Sequence, residues 1–513
     1  MLSMKRILLI APFNGIEHTN ILSKFLKEKQ YNAPHLGLHQ IASYLIKHNH
    51  YVDVVSPNID YDKLTEYLSR NTYDFVGFSI LHETLENDLS LVIKAKKHLP
   101  DAVFVAGGIE VTFNPGFVFK YSPVDVIVIG EGEKIMLQLA ETPQKDYHLI
   151  PGLYLRNKDE YYRTGYRKSY DEDEFREMSM GIDISNIPYR HYWDNLKSCY
   201  NNITEKKLQE IYTIRLYTTN HCPLKCSFCS STQFRDYSQG GTTPLVYLDA
   251  KDIMKLIYRA IEAYPEVRTI YFNDDEFNLN QKRTKDLCEL LIAAKDSGNI
   301  PEYLTFICSV RVLSLKKELL LLMENAGFRV LGLGVESFSQ KQLNEFAKKL
   351  KVSSVEETLD LILKTAITPF INIILTSSNT TMHDVTTTIE YAIDYLLKGV
   401  QINLNLYTIP LAGSTITKEN NINIAYRSIK LMSGKQVLQK PERIIPKDPE
   451  VRCLLESFES IIMKKRNELT QKYGIKHFSS NINSALCLIC LAELIGIDAN
   501  HIELWAYIKD LCS

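Results

Sequence analysis

The chain of 513 residues is long enough for three domains of ordinary size, or for two with a long extension. Its hydrophobic fraction of 45% and charged fraction of 23% are typical of a globular protein with an ample core. A net charge of -2 gives no electrostatic argument for a nucleic acid or an anionic membrane as partner, so we expect neither.

Two features indicate a reduced, cytoplasmic protein. No secretory signal is visible at the start, and the longest apolar stretch, 485–497, is too short to span a bilayer and contains Glu493. The ten cysteines show no disulfide-framework spacing. In a reducing compartment a group of cysteines is more often metal-binding than oxidised.

Residues 1–145 contain short β-rich runs that alternate with helical patterns or turns. The runs cover residues 6–10, 51–56, 75–80, 102–106 and 124–129. This alternation predicts a doubly wound, Rossmann-like parallel sheet, which binds ligands outside the carboxyl ends of its strands. Small residues at those ends would let a large ligand approach the backbone, and they include Ser79, Gly107, Gly108, Gly130 and Gly132.

Two stretches of this region carry a family resemblance. Pro34-His35-Leu36-Gly37-Leu38, together with Gly107-Gly108 and Gly130-Glu131-Gly132-Glu133, resembles the cobalamin-binding domain that precedes the radical S-adenosylmethionine (SAM) domain in one large subfamily. The resemblance implies a corrinoid lying across Ser79, Gly107, Gly108, Gly130, Glu131 and Gly132.

The cobalt-coordinating motif of many cobalamin domains, D-x-H-x-x-G, does not occur in the chain. His18 and His82 are the loop histidines that could reach the cofactor instead. The alternative interpretation is a domain that keeps the fold and has lost the cofactor.

Residues 146–210 are rich in charges and tyrosines and show no sustained periodicity, which is typical of a linker with local structure. The acidic run 171–174 is interpreted as a solvated face. Ile187-Pro188 resembles the proline-containing joint between the two domains of the subfamily.

Cys222, Cys226 and Cys229 lie within one eight-residue loop that directly follows a strand-like run. Clustered thiolates suit zinc or an iron-sulfur cluster, and a closed zinc site needs a fourth ligand, for which His221 is the only close candidate. A four-iron cluster bound by three cysteines leaves one iron free to bind a small chelating molecule, which makes an active site.

The spacing C-x3-C-x2-C, with Phe228 before the last cysteine, resembles that of the radical SAM enzymes. In that family the free iron takes the amine and carboxylate of SAM, and an electron from the cluster cleaves SAM to a 5'-deoxyadenosyl radical. The resemblance implies a [4Fe-4S] cluster on Cys222, Cys226 and Cys229, SAM as cofactor, and an external electron donor such as flavodoxin or ferredoxin.

Residues 211–425 alternate strand and helix patterns, with strands at 213–218, 269–273, 304–309, 330–335, 370–375 and 401–407. They predict a partial (β/α)6 barrel with its chemistry at the carboxyl ends of the strands. Those ends are polar, as a ligand with an ammonium, a carboxylate and a ribose requires. The resemblance assigns the SAM contacts to Phe228, Asp274, Asp275, Glu276, Ser309, Arg311 and Glu336. The fifth and sixth ends carry Thr376-Ser377 and Pro410 with Gly413.

Residues 426–513 show helical patterns at 448–473, 480–494 and 501–511 and predict a small helical domain. In related enzymes this tail covers the substrate opening. Cys487 and Cys490 have ligand-like spacing but lie in a strongly apolar helix, so core packing and a second cluster both stand as interpretations.

The resemblance as a whole implies a cobalamin-dependent radical SAM enzyme similar to the class B methyltransferases. Its expected reaction is methylation of an unactivated carbon of a small-molecule or peptide-derived substrate, through a 5'-deoxyadenosyl radical and methylcobalamin. The alternatives are a rearrangement, cyclisation or ring-contraction enzyme with the same cofactors, and a non-catalytic metal-binding interaction protein. No residue stands out as a general base, so no catalytic residue is predicted.

Overall fold

The computed structural model of the protein describes residues 4–14, 33–70, 72–158, 160–198, 200, 202–418, 422–431, 437–473, 480–497 and 501–512. Two large sheets and a short hairpin organise the chain. The mixed α/β architecture predicted from the sequence is confirmed, with a Rossmann-like sheet followed by a partial barrel.

The first sheet has seven strands in the order β2-β1-β3-β4-β5-β6-β7. Its strands are β1 (Arg6–Ile10), β2 (Tyr51–Val55), β3 (Phe75–Ser79), β4 (Val103–Gly107), β5 (Val126–Val128), β6 (Leu153–Asn157) and β7 (Glu160–Arg163). The first five strands are parallel, so their carboxyl ends meet at one edge. The strand order reverses between β1 and β3, and doubly wound sheets bind ligands at such a point.

Helices cover both faces of this sheet. They are α1 (Leu36–Lys47), α2 (Tyr61–Arg70), α3 (Leu85–His98), α4 (Ile109–Phe113), α5 (Pro115–Tyr121) and α6 (Glu133–Glu141). Two separate hydrophobic clusters form, one on each face, because the parallel strands bury side chains on both sides.

Strands β6 and β7 lie in the region whose sequence indicated a linker. They add antiparallel to β5, and the apolar run Leu153, Tyr154 and Leu155 is buried there. Three residues are too short a run to stand out in a charged sequence, so these strands were not predicted. The acidic run nearby begins a helix, α7 (Glu172–Met180), which Asp171 and Glu174 close with a reciprocal capping box.

Two further helices, α8 (Tyr189–Ser198) and α9 (Glu205–Ile211), lead into the second sheet. Tyr189 and Trp193 of α8 make edge-to-face contacts with Tyr264 of the barrel domain. The connecting region is therefore packed against the barrel through aromatic side chains.

The second sheet is an open barrel of six parallel strands in the order β13-β12-β11-β10-β9-β8. Its strands are β8 (Thr213–Leu216), β9 (Thr269–Phe272), β10 (Thr305–Val310), β11 (Phe328–Glu336), β12 (Thr368–Thr376) and β13 (Gln401–Tyr407). The helices are α10 (Ser231–Gln239), α11 (Ala250–Ala263), α12 (Gln281–Asp296), α13 (Lys317–Ala326), α14 (Gln340–Glu345), α15 (Val352–Ile362) and α16 (Met382–Leu397).

The C-terminal region starts with a hairpin, β14 (Asn423–Lys430) and β15 (Val437–Ile445), which was not predicted from the sequence. Leu431 and Leu438 join the hydrophobic core of the first sheet, and Glu86 there accepts from Arg427 at 2.6 Å and Lys440 at 2.8 Å. The hairpin therefore connects the C-terminal region of the chain to the N-terminal sheet.

Three helices follow, α17 (Pro449–Tyr473), α18 (Ser480–Ile495) and α19 (His501–Cys512). Their apolar residues belong to the barrel's core, and Ser484 Oγ accepts from the backbone N–H of Leu404 on edge strand β13 at 3.0 Å. No described helix combines the length and apolarity that crossing a membrane would take.

Candidate functional site

The three-cysteine loop follows β8 and is held from two sides. Thr232 Oγ1 of α10 lies 2.5 Å from the carbonyl oxygens of both Cys222 and Leu224. Ser227 donates its backbone N–H to Phe346 at 3.0 Å and accepts from that of Ile416 at 2.8 Å. The loop is thus positioned by the helix after it and by distant segments of the barrel.

Burial raises the pKa of Cys222 to about 12 and that of Cys229 to about 11, so both thiols are neutral in the cluster-free protein. Metal binding would displace those protons. Among the described residues, no three His, Cys, Asp or Glu side chains lie close enough together to hold a single metal ion. Zinc needs its sulfurs about 2.3 Å from one ion, whereas a cubane binds each cysteine through a different iron. The two kinds of metal site therefore require different arrangements of the same thiols.

A cavity of about 230 Å³ opens beside this loop at the carboxyl ends of β8 to β11. Gly332 and Gly334 of β11 line it. A Cβ atom at Gly334 would lie 2.8 Å from Nζ of Lys348 and 3.0 Å from Oε1 of Glu336, two groups that also line the cavity. The missing side chain lets these two charged groups approach the backbone at the cavity wall.

Most of the residues predicted to bind SAM line this cavity. They are Phe228, Asp275, Glu276, Ser309, Arg311 and Glu336. Asp274 does not: its buried carboxylate accepts from the backbone N–H groups of Thr218 at 2.6 Å and Thr219 at 2.9 Å. Asp274 therefore fastens the strand that leads into the cysteine loop.

Glu276 is the buried acid of the cavity. Burial raises its pKa to about 7, against the opposing field of Arg311 and a hydrogen bond from the backbone N–H of Asn278. A carboxyl that titrates near neutrality can accept a ligand ammonium once it has lost its proton.

Lys348 was missed in the sequence and pairs with Glu336 at 3.2 Å, both side chains being only 9% exposed. Burial raises the pKa of Glu336, and Lys348 opposes that shift. Glu336 has φ of 69° at a register shift of β11, and Ala347 and Lys349 beside Lys348 have φ of 51° and 54°. Such strained positions persist where the surroundings enforce them, and they cluster at functional sites.

A second cavity of about 410 Å³ lies between the carboxyl edge of the first sheet and the cysteine loop. It is lined by every residue predicted to contact the corrinoid: Ser79, Gly107, Gly108, Gly130, Glu131 and Gly132. Its deep part, between the sheet and helices α1 and α6, is apolar and includes Leu9, Val105, Leu38, Ile41 and Met136.

Two observations fit this cavity to a large, amide-bearing ligand. A Cβ atom at Gly107 would meet nothing within 4 Å, and Gly108 has φ of 113°, so the backbone itself forms the wall. On the opposite side Oγ1 of Thr219 and Nδ1 of His221 are buried and have no hydrogen-bond partner among the described residues, although both residues line the cavity. Buried polar groups need partners, and a corrinoid's carboxamides would supply them.

The Gly130–Glu131 segment also joins the two domains. Glu131 accepts from Nη1 of Arg235 on α10 at 2.6 Å. A Cβ atom at Gly130 would lie 2.8 Å from Oγ of Ser238 on the same helix. The cavity is therefore closed by direct contact between the domains.

The histidines differ from the sequence expectation. His82 does not line the cavity, and its Nδ1 lies 3.2 Å from Glu110. His18 lies outside the described residues. His35, which the sequence analysis did not single out, lines the cavity with Nε2 3.1 Å from Oγ of Ser79, and burial lowers its pKa to about 4. Its place in the Pro34–Leu38 stretch was the available signal.

Three predicted features lie elsewhere. Ser377 donates to Glu345 at 2.8 Å and Gly413 lies against the ring of Phe113, and neither is among the described residues that line these two cavities. No described residue beyond Asn372 lines either cavity, and the expectation that the tail covers the substrate opening stays a prediction. Cys487 and Cys490 are buried in apolar α18, where burial raises the pKa of Cys490 to about 12.

Comparisons with known proteins agree with this geometry. The B12 binding domain family matches residues 25–140, and the Radical SAM superfamily matches residues 216–392. The chain therefore carries both domains of the cobalamin-dependent radical SAM enzyme family. The cofactors of that family are a [4Fe-4S] cluster, SAM and cobalamin.

Two curated relatives are similar in sequence. The anaerobic magnesium-protoporphyrin IX monomethyl ester cyclase of Cereibacter sphaeroides is 26% identical over 325 residues, which are 61% of this chain and 48% of the cyclase. The chain thus spans about half the length of that relative. An uncharacterized methyltransferase of Pyrococcus horikoshii is 25% identical over 373 residues, 71% of this chain and 74% of that protein.

Two solved structures share the fold. The radical SAM methyltransferase TsrM from Kitasatospora setae, with cobalamin and a [4Fe-4S] cluster bound, has a TM-score of 0.61 at 17% identity. The superposition covers 82% of this chain and 77% of the TsrM chain. The cobalamin-dependent SAM radical enzyme OxsB with aqua-cobalamin bound has a TM-score of 0.61 at 15% identity and covers 99% of this chain and 75% of its own.

Proposed function

We propose that the protein is a methyltransferase that acts on an unactivated carbon of a small-molecule or peptide-derived substrate. The observation that carries the proposal is the shared wall of the two cavities. Ser231 and Asp275 line both of them, so a molecule at this wall reaches both cofactor spaces. The named methyltransferase among the relatives supports the same reaction.

On the barrel side, Cys222, Cys226 and Cys229 hold the cluster and leave one iron for SAM. Asp275 and Glu276 accept the ammonium of SAM, and Ser309 and Arg311 donate to its carboxylate and ribose. Phe228 packs against the adenine of SAM. Glu336, which Lys348 holds in place, forms the opposite wall of the cluster cavity. Asp274 does not contact SAM; it contributes only by fixing the backbone that leads from β8 into the cysteine loop.

On the other side, Ser79, Gly107, Gly108 and the segment 130–132 would hold the corrinoid, and the apolar residues beneath α1 and α6 would contact its apolar parts. When bound, the cluster with SAM supplies a hydrogen-abstracting radical and the corrinoid supplies the methyl group. The protein's part is to hold both beside the substrate and exclude water. We place the domains at 1–145, 211–425 and 426–513 with a linker between the first two, and the protein in the reducing cytoplasm.

A second candidate is a cyclisation or rearrangement enzyme that uses the same cofactors without methyl transfer. The similarity to a protein named as a cyclase favours it, over 61% of this chain.

Anaerobic reconstitution with cluster, cobalamin, SAM and a reductant tests the proposal. Both candidates predict 5'-deoxyadenosine, and only methyl transfer must produce S-adenosylhomocysteine as well. The amount of S-adenosylhomocysteine should rise in proportion to the amount of cobalamin bound, and none should form when cobalamin is left out. Deoxyadenosine alone would favour the second candidate, and neither product would leave a non-catalytic metal-binding protein.

A further inference from the structure

The segment between α14 and α15 covers the cysteine loop from outside. Ser227 of the loop donates its backbone N–H to Phe346 at 3.0 Å and its hydroxyl to the backbone oxygen of Glu345 at 2.8 Å. The rings of Phe228 and Phe346 make an edge contact with centroids 5.2 Å apart. This segment is thus attached to the loop that would hold the cluster.

A single side chain separates the cluster cavity from a surface groove on this segment. Leu350 lines the cavity on one side and, on the other, a groove formed by residues 340–353. Leu350 is itself only 9% exposed. The groove is therefore a surface from which an electron would have a short path to the cluster.

The rim of this groove is basic. Lys349 and Lys351 are exposed on either side of Leu350, and neither has an ion pair within the described part of the chain. Lys341 of α14 is exposed as well, but it does not line the groove and its amine pairs with Asp384 at 3.4 Å.

Two of the three carboxylates of α15 interact with α16, and the third, Glu357, is exposed. Glu356 interacts with Tyr391, and Asp360 accepts from Tyr395 at 3.4 Å, both tyrosines belonging to α16. Lys349 and Lys351 thus have no ion pair among the described residues, although the whole chain carries a net charge of -2.

We propose that this rim is the docking surface for an acidic, low-potential electron-transfer protein that reduces the cluster. The inference rests on the proposed function, because a SAM-cleaving cluster must receive one electron for each cleavage. The donor, a flavodoxin hydroquinone or a reduced ferredoxin, loses one electron and the cluster gains it. Complementary charge accelerates and orients such encounters, and the contact need not be large.

The test reverses the two lysines and uses flavodoxin as the probe. The reconstituted variant K349E/K351E should bind oxidised flavodoxin about tenfold more weakly than the wild type at low salt, and its cluster should be reduced by flavodoxin hydroquinone more slowly by a similar factor. The neutral variant K349Q/K351Q should fall between them. Raising the salt should shrink all of these differences, since exposed charges are screened.

A matched control is K206E/K364E. Lys206 is exposed on α9 just before β8, and Lys364 is exposed between α15 and β12, so both lie at the opposite end of the barrel strands. This control should bind flavodoxin as the wild type does. Dithionite should reduce all the variants equally, and they should then cleave SAM at the wild-type rate.

Wild-type flavodoxin affinity in K349E/K351E, or an equal loss in the control, would overturn the docking surface. A defect that persists with dithionite would also overturn it, because the substitutions would then have damaged the cluster. Failure of the wild type to cleave SAM with dithionite would instead reject the proposed function. The flavodoxin titration would still test the docking surface, because it measures binding and not SAM cleavage.

Discussion

Oγ of Ser231 lies 2.5 Å from Oδ2 of Asp275, and both residues line the cluster cavity and the corrinoid cavity. Ser231 begins α10 two positions after Cys229, and its backbone N–H lies 3.4 Å from the sulfur of that cysteine. Because the hydroxyl occupies one oxygen of Asp275, the other stays available to a ligand. The pair therefore marks where the contents of the two cavities would meet.

Neighbouring aspartates should behave differently when they are replaced. D274A leaves the buried N–H groups of Thr218 and Thr219 without their acceptor, and we expect a loss of about 2–4 kcal/mol in the free energy of unfolding. D275N, at an exposed position, should leave stability almost unchanged and weaken SAM binding about tenfold through the loss of a charge-assisted hydrogen bond. Thermal unfolding and equilibrium dialysis with SAM measure the two effects. Equal destabilisation by both changes would contradict the distinction.

A side chain that fills the corrinoid cavity should weaken cobalamin binding and leave the stability of the protein and the SAM site unchanged. In G107V the new side chain would meet no protein atom near its Cβ and would project into the cavity. We expect cobalamin retention after gel filtration to fall at least about tenfold, with unchanged unfolding temperature and unchanged SAM cleavage. G241V, at an exposed turn with equal free space, is the control and should retain cobalamin. Full cobalamin binding by G107V would place the corrinoid elsewhere.

Glu276 should make the stability of the cluster-free protein depend on pH. Its folded-state pKa of about 7 lies above the ordinary value of 4.5, so the unfolded chain loses this proton at a lower pH than the folded protein does. Stability is therefore lost as the pH rises from 4.5 to 7, by about 3 kcal/mol at most, and then levels off. E276Q removes the titration. The difference in unfolding temperature between E276Q and the wild type should grow across this window, and a constant difference would refute the assignment.

The cysteines should divide into ligands and core residues. C226A should abolish both the cluster and SAM cleavage, since two thiols cannot hold the cubane. C490A, in the apolar interior of α18, should keep full iron content and activity and lose only stability. Iron and sulfide analysis of both reconstituted variants measures this. SAM cleavage by C226A would contradict the assignment of the cluster ligands. Loss of iron in C490A would support a second cluster at Cys487 and Cys490.

Much of this architecture follows from local sequence signals. Strands that alternate with helices, and glycines or charges where a parallel strand ends, predicted both sheets and most cavity-lining residues, because parallel strands place all such ends on one edge. Consecutive positions are harder to separate. Asp274 and Asp275 are identical in type, and only the path of the chain after β9 decides which one is buried and which one faces the cavities.

Features that depend on distant contacts could not be predicted. Lys348 is one of 59 basic residues, and its role arises only because two left-handed residues and Glu336 hold it over Gly334. The hairpin β14–β15 is stabilised by Glu86, which precedes its partner Arg427 by 341 positions in the sequence. Propensity and periodicity carry no information on such pairs.

The central claim is that one chain holds a corrinoid and a SAM-binding cluster on the two sides of Ser231 and Asp275. The most direct measurement is the electron spin relaxation of cob(II)alamin in the reconstituted protein, with the cluster oxidised and then reduced. Two paramagnets in adjoining cavities interact, so reduction of the cluster should accelerate relaxation of the cobalt signal in the wild type and not in C226A. A cobalt signal that is absent, or indifferent to the cluster, would contradict the account.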